Sequence, residues 1–178
     1  WFSMFLYVVM AVYAILGLSL NAKLSFMMAK SIAPTGAMFT FVALITGAFW
    51  GRPTWGAWWV WDARLTSELI LLFLYIGYMS LQAGIDDTRR SDRASAILAI
   101  VGVINVPIIY FSVKWWNTLH QGSSINTSGS SMAAVMLQAM LIMALGFWLY
   151  SAAVILTRVR REIEDRARAT AWLNEFKD

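Results

Sequence analysis

Few side chains in this 178-residue sequence could do chemistry, and the most informative of them is its one histidine, His120. Four residues earlier stands Trp116, next to Trp115. A second aromatic group lies far upstream: residues 50–67, WGRPTWGAWWVWDARLTS, hold Trp50, Trp55, Trp58, Trp59 and Trp61 and continue into Asp62 and Arg64. Tryptophan is apolar over its body and carries one N–H donor at its edge. A cluster of them outside a packed core can cover a large flat ligand or sit in a membrane interface.

A lone histidine is more often a hydrogen-bonded structural residue than a metal ligand. Beside a wide aromatic surface, however, a neutral imidazole meets the needs of a planar apolar cofactor with an axial metal position. Heme is the common cofactor of that shape. Arg52, Arg64 and Lys114 could then meet heme propionates through charge-assisted hydrogen bonds. Interfacial anchoring is the alternative for these cations, and it suits Lys114 equally well. Asp62 precedes a long apolar run, where its carboxylate can cap the first turn of a helix and sit at the positive end of the helix dipole. Arg64 and Glu68, spaced i,i+4, could pair, because a carboxylate one turn into a membrane span is costly unless paired or wet.

Other chemistries are absent from the pattern. One histidine and no strand–turn–helix elbow leave no serine triad, and no G-x-x-x-x-G-K-[ST] loop is present for nucleotide hydrolysis. There is no cysteine, hence no disulfide, thiolate metal site or thioether link.

The elements that must position these residues are membrane helices. The chain is 60% hydrophobic and 13% charged, with mean hydropathy +0.62, too apolar for an ordinary soluble domain. The expected fold is all-α, a polytopic bundle of about five transmembrane helices, each near the twenty residues that cross a bilayer core. The spans are expected at residues 1–20, 34–49, 65–83, 94–113 and 132–157. Residues 21–30 read as a short connection, with Pro34 in the first turn of the second span, where a missing N–H costs nothing. Gly36 and Gly47 either permit close helix approach there or reflect the frequency of glycine in membrane helices. Residues 84–93 read as a solvated charged loop, and Pro107 should kink the fourth span. Residues 114–131 form a second tryptophan-bearing loop ending in a flexible Ser/Gly/Asn run. Residues 158–178 read as an amphipathic tail lying on the membrane surface, leaving residues 1–157 as the membrane-embedded domain.

Alternating the loops puts eleven of the fourteen Lys and Arg residues on the side of residues 21–30, 84–93 and the tail. Only Arg52, Arg64 and Lys114 remain opposite. The positive-inside rule then places the eleven in the cytoplasm and both tryptophan-rich loops on the outer side, where they can build one site. A membrane explains the net charge of +4 better than nucleic acid does. Seven of the ten tryptophans fall in the two outward loops, an asymmetry that favours a ligand platform over an interfacial belt.

The stretch WGAWWVWDARLTSELILLFLYIG resembles the WWD signature of heme-handling membrane proteins. With NVPIIYFSVKWWNTLHQGSS it is similar to the CcmC family of cytochrome c maturation over essentially all of residues 1–157. The resemblance implies a bacterial inner-membrane protein with its tryptophan-rich loops in the periplasm and its tail in the cytoplasm. It implies no enzymatic activity, transient binding of heme b, and heme delivery to the periplasmic heme chaperone CcmE. The implied partners also include ABC transporter subunits and a small membrane subunit. Trp55, Trp58, Trp59, Trp61 and Asp62 match the signature, and His120 matches the family's second axial histidine. Trp1 opens mid-pattern, and the expectation is that a first helix, a first periplasmic segment and another axial histidine precede it. A transporter subunit that does not itself ligate heme, and a membrane electron-transfer cytochrome, are the alternatives. The cytochrome would need histidines within its spans, which this sequence lacks.

Overall fold

The computed structural model describes residues 1–116, 118, 120, 125–126 and 129–175. Among them it is a helical bundle whose helices are long and apolar enough to make five membrane crossings. In α1 (Phe2–Leu20), Ser3, Tyr7, Met10, Ala14 and Gly17 recur at intervals of three and four and are buried, the repeat of a helix that turns one stripe inward. α2 (Lys23–Trp55) and α3 (Ala63–Gly84) pack beside it, followed by α4 (Thr88–Gly102) and α5 (Asn105–Trp115). A two-residue antiparallel pair, β1 (Ile125–Asn126) with β2 (Gly129–Ser130), precedes α6 (Ala134–Glu175), which packs chiefly along α2.

Between membrane helices the hydrophobic effect contributes little, so small residues and polar contacts do the joining. Gly36 is one such point, since a Cβ there would run into the Tyr75 ring; at Gly47 it would meet nothing within 4 Å. Tyr75 is fully buried and donates its hydroxyl to the Ser3 carbonyl at 2.8 Å. The Asn105 amide donates to the Ser67 carbonyl at 2.8 Å. It thereby ties the start of α5 to the first turns of α3.

Several sequence expectations need correction. Residues 23–30 are not a connection: α2 begins at Lys23 because Phe26, Met27 and Ala29 bury a helical face, and Pro34 lies inside the helix. At 33 residues α2 is about 50 Å long, some 20 Å more than a bilayer core. Its ends, Lys23 and Lys30 at one and Trp50, Arg52 and Trp55 at the other, therefore overhang the apolar layer. The charged loop shrinks to residues 85–87, with Asp87 capping α4 through the Arg90 N–H at 2.8 Å. The expected kink in the fourth span is a break at Val103 and Ile104, which leaves Pro107 in the first turn of α5, where its missing N–H is harmless.

The tail is not a separate element. α6 runs 42 residues without interruption, because no glycine or proline marks residue 157 and its polar side chains find partners on α2 and α4. Arg158 donates to Thr35 Oγ1 at 2.6 Å, and Lys30 pairs with Glu162 at 2.8 Å. Arg166 grips both carboxylate oxygens of Asp92, at 2.9 and 3.1 Å, and reaches Glu162 at 2.7 Å. Asp92, expected in a solvated loop, is 5% exposed. Residues 117, 119, 121–124, 127–128 and 176–178 lie outside the described residues. The flexible run expected in the second loop falls partly there, and the rest holds the β1–β2 pair.

Arg166→Ala would leave the Asp92 carboxylate buried without its cation. We expect a loss of about 3 kcal/mol, read as a lower unfolding midpoint in detergent, with much of it regained in the Asp92→Asn/Arg166→Ala double variant.

Candidate functional site

The site is built where α2 ends and α3 begins. Gly56 takes φ 77°, a left-handed conformation that favours glycine, and its N–H returns to the Arg52 carbonyl at 3.0 Å. Arg52 Nη1 donates in turn to the Gly56 carbonyl at 2.5 Å. The chain then runs irregularly past Trp58, Trp59 and Trp61, and the Asp62 N–H bonds the Val60 carbonyl at 2.8 Å. Asp62 is the N-cap of α3, accepting the Leu65 N–H on Oδ1 at 2.8 Å, as the sequence suggested.

Its second oxygen does something that sequence reasoning missed. Asp62 Oδ2 lies 3.0 Å from His120 Nδ1, across 58 positions of chain. The Asp62 side chain is 5% exposed and that of His120 21%. A carboxylate can only accept, so Nδ1 carries the proton, and in the neutral ring Nε2 keeps its lone pair. An N-cap signal tells only of one oxygen; nothing local in the sequence marks the partner of the other.

Aromatic rings surround this pair. Trp55 meets His120 edge-on, with centroids 4.6 Å apart at 70°, and meets Trp50 at 5.1 Å and 85°. Trp58 packs on Phe49 at 5.5 Å, and Trp59 on Trp61 at 5.5 Å. Trp50, Trp58 and Trp61 remain largely exposed, while the Trp59 indole N–H is buried with no acceptor among the described residues. Trp115 stacks on Phe111 at 5.0 Å and 16° and touches Trp116. Among the described ring contacts neither meets the tryptophans of residues 50–61, so the structure brings His120, but not Trp115 or Trp116, onto the first cluster.

The cations divide as well. Lys114 sits over the Phe111 ring at 5.8 Å, a contact that suits an anchor. The pairing expected between Arg64 and Glu68 is not found among the described residues; the Glu68 carboxylate accepts instead from the Ser3 hydroxyl at 3.1 Å. Arg64 is half-buried at the start of α3. Among the described residues no three His, Asp or Glu groups gather into a metal cage. A metal brought here would need most of its ligands from elsewhere, as a porphyrin provides.

The sequence profile of CcmC, described as heme exporter protein C, matches residues 1–174. The chain belongs to the CcmC family. It is 47% identical over 174 residues to heme exporter protein C of Escherichia coli, covering 98% of this chain and 70% of that protein. Identity to heme exporter protein C of Bradyrhizobium diazoefficiens is 49% over 164 residues, 92% of this chain and 62% of that one. A ccmC-like mitochondrial protein of cytochrome c biosynthesis from Marchantia polymorpha is 41% identical over 163 residues, 92% of this chain and 69% of that one. Residues 50–67 and His120 all fall within the stretch matched to the CcmC profile.

Asp62→Ala removes both the helix cap and the imidazole partner, whereas Asn caps as well as Asp does. Thermal unfolding in detergent should show Asp62→Ala destabilised by about 1–2 kcal/mol and Asp62→Asn by less than half of that.

Proposed function

We propose that this chain holds heme at the tryptophan end of the bundle and delivers it in cytochrome c maturation. In this reading His120 is an axial iron ligand and Asp62 the residue that aims it. The observation that carries the proposal is the 3.0 Å contact between Asp62 Oδ2 and His120 Nδ1. Metal-bound histidines nearly always donate their other ring N–H to a carboxylate or carbonyl, which fixes the tautomer, orients the ring and strengthens the ligating nitrogen. The names of the relatives, heme exporter protein C and a ccmC-like protein of cytochrome c biosynthesis, support the cargo and the process.

Each neighbouring residue has a physical part. Trp55 packs against the imidazole and limits its rotation. The exposed faces of Trp50, Trp58 and Trp61 offer an apolar shelf, and the Trp59 N–H needs an acceptor that a propionate carboxylate would supply. Arg64 and the unused donors of Arg52 would meet the same carboxylates. Trp115 and Trp116 would close over the ligand from the α5 side. An open shelf of this kind suits transient heme b better than a deep pocket does, because a cargo must leave.

The eleven-to-three charge asymmetry supports a cytoplasmic position for the cationic end and a periplasmic one for the shelf, in a bacterial inner membrane. The partners this arrangement calls for are the periplasmic chaperone CcmE as acceptor, with ABC transporter subunits and a small membrane subunit beside the bundle.

Heme titration followed by visible absorption tests the assignment. His120→Ala should lose the histidine-ligated spectrum, and an unchanged spectrum would exclude His120 as ligand. Asp62→Asn, which preserves the cap, should weaken heme binding by roughly 10–100-fold. Reversing charge at Arg52 and Arg64 together should speed heme loss; retention equal to wild type would sink the propionate role. Replacing Trp58 and Trp59 with Phe leaves the membrane anchoring intact, so unaltered heme association there would mean the tryptophans are anchors only.

A further inference from the structure

The end of the bundle opposite residues 50–61 carries a cavity of about 410 Å³, bounded by the α1–α2 turn, the first turns of α2 and α4, and the far part of α6. Lys23, Arg89, Arg93 and Arg166 converge on it, with Asp92 as the one acidic lining residue. Asp92 is already committed, since both its oxygens are held by Arg166. Lys23, Arg89 and Arg93 are exposed and have no ion pair among the described residues. Asp87 is turned to the Arg90 N–H as the cap of α4, and Asp86 does not line the cavity.

The walls are not polar throughout. Phe26 and Met27 form part of the lining, and Leu20 and Leu24, each next in sequence to a lining residue, are 70% and 56% exposed. A concave patch of unpaired cations that grades into exposed apolar surface fits a ligand with a multiply accepting anionic head and an attached hydrocarbon body. Cations serving only to set topology need no cavity, and no elements would have to bring them together.

We propose that this cavity binds the phosphate headgroup of an anionic phospholipid from the adjacent leaflet, with Lys23, Arg89 and Arg93 as the phosphate donors. Arg166 acts through Asp92 to position the α4 side of the pocket. The acyl chains run along Leu20 and Leu24 into the bilayer. Bound in this way, the lipid would join α2, α4 and α6 at the point where the polar network of α6 already docks.

Native mass spectrometry of the detergent-purified chain, titrated separately with phosphatidylglycerol and phosphatidylcholine, tests the site. Wild type should retain phosphatidylglycerol about tenfold more than phosphatidylcholine. Lys23→Gln/Arg89→Gln/Arg93→Gln should abolish that preference. Arg90→Gln/Arg161→Gln/Arg168→Gln, which removes the same charge from the same end outside the cavity, should keep it. Equal retention of the two lipids by wild type overturns the proposal, and so does equal loss in both triple variants, which would mean general surface charge. Inorganic phosphate is the third arm. Competition by phosphate as strong as that by phosphatidylglycerol would make the ligand a free anion and not a lipid. Melting temperature with and without phosphatidylglycerol gives an independent readout, with a rise in wild type and none in the cavity variant. Should the cavity variant fold poorly, Arg93→Gln alone should lower the preference about threefold, and an unchanged preference in it counts against the site.

Discussion

One buried carboxylate is divided between two tasks, and the candidate site depends on that division. Asp62 gives one oxygen to the first turn of α3 and the other to the imidazole of His120. α3 is anchored through Leu71, Tyr75 and Tyr78, none more than 1% exposed, and through the Asn105 bond to Ser67. The imidazole thus takes its position from the best-packed part of the bundle, although it stands in a loop. Helix capping and ligand orientation are usually separate jobs for separate residues. Here one carboxylate both caps α3 and holds the imidazole, so any change that shifts the cap also shifts the ring.

The opposite end solves a different problem. α6 shares little surface with the rest of the bundle and packs chiefly along α2, so apolar contact alone does not fix its register. Arg158 on Thr35, Lys30 on Glu162 and Arg166 on Asp92 set it instead. These partners come from α2, α4 and α6 itself, which makes the polar end the clasp of a helix whose first turns are largely exposed.

Much of this architecture could be read from residue order, because apolar runs of bilayer length and an uneven count of Lys and Arg are physical constraints that act locally. The cap at Asp62 and the interruption near Pro107 followed from such signals, and His120 does meet the first tryptophan cluster although Trp115 and Trp116 do not. What was not legible depended on partners distant in sequence. Residues 23–30 look like a polar connection until Phe26 and Met27 find a helix to pack on, and the tail looks amphipathic until Asp92 and Lys30 receive its charges. The role of Asp62 toward His120 has the same origin. Its second oxygen had a partner, but only the folded chain brings that partner within reach.

The overhang of α2 has a mechanical consequence. Were heme held at this end, as proposed above, a shelf level with the headgroups would compete with the bilayer for it, because an apolar ring system of that size partitions into lipid. A helix with more rise than the apolar slab can hold, and with cations near both ends, resists sliding in either direction along the membrane normal. With the helix upright in the bilayer, its far end stands clear of the hydrocarbon, with Trp50 and Trp55 on its last turns and the Arg52–Gly56 closure at its tip. On the reading proposed above, the length of one helix sets the depth of the shelf and keeps the lipid from acting as a rival solvent for what rests on it.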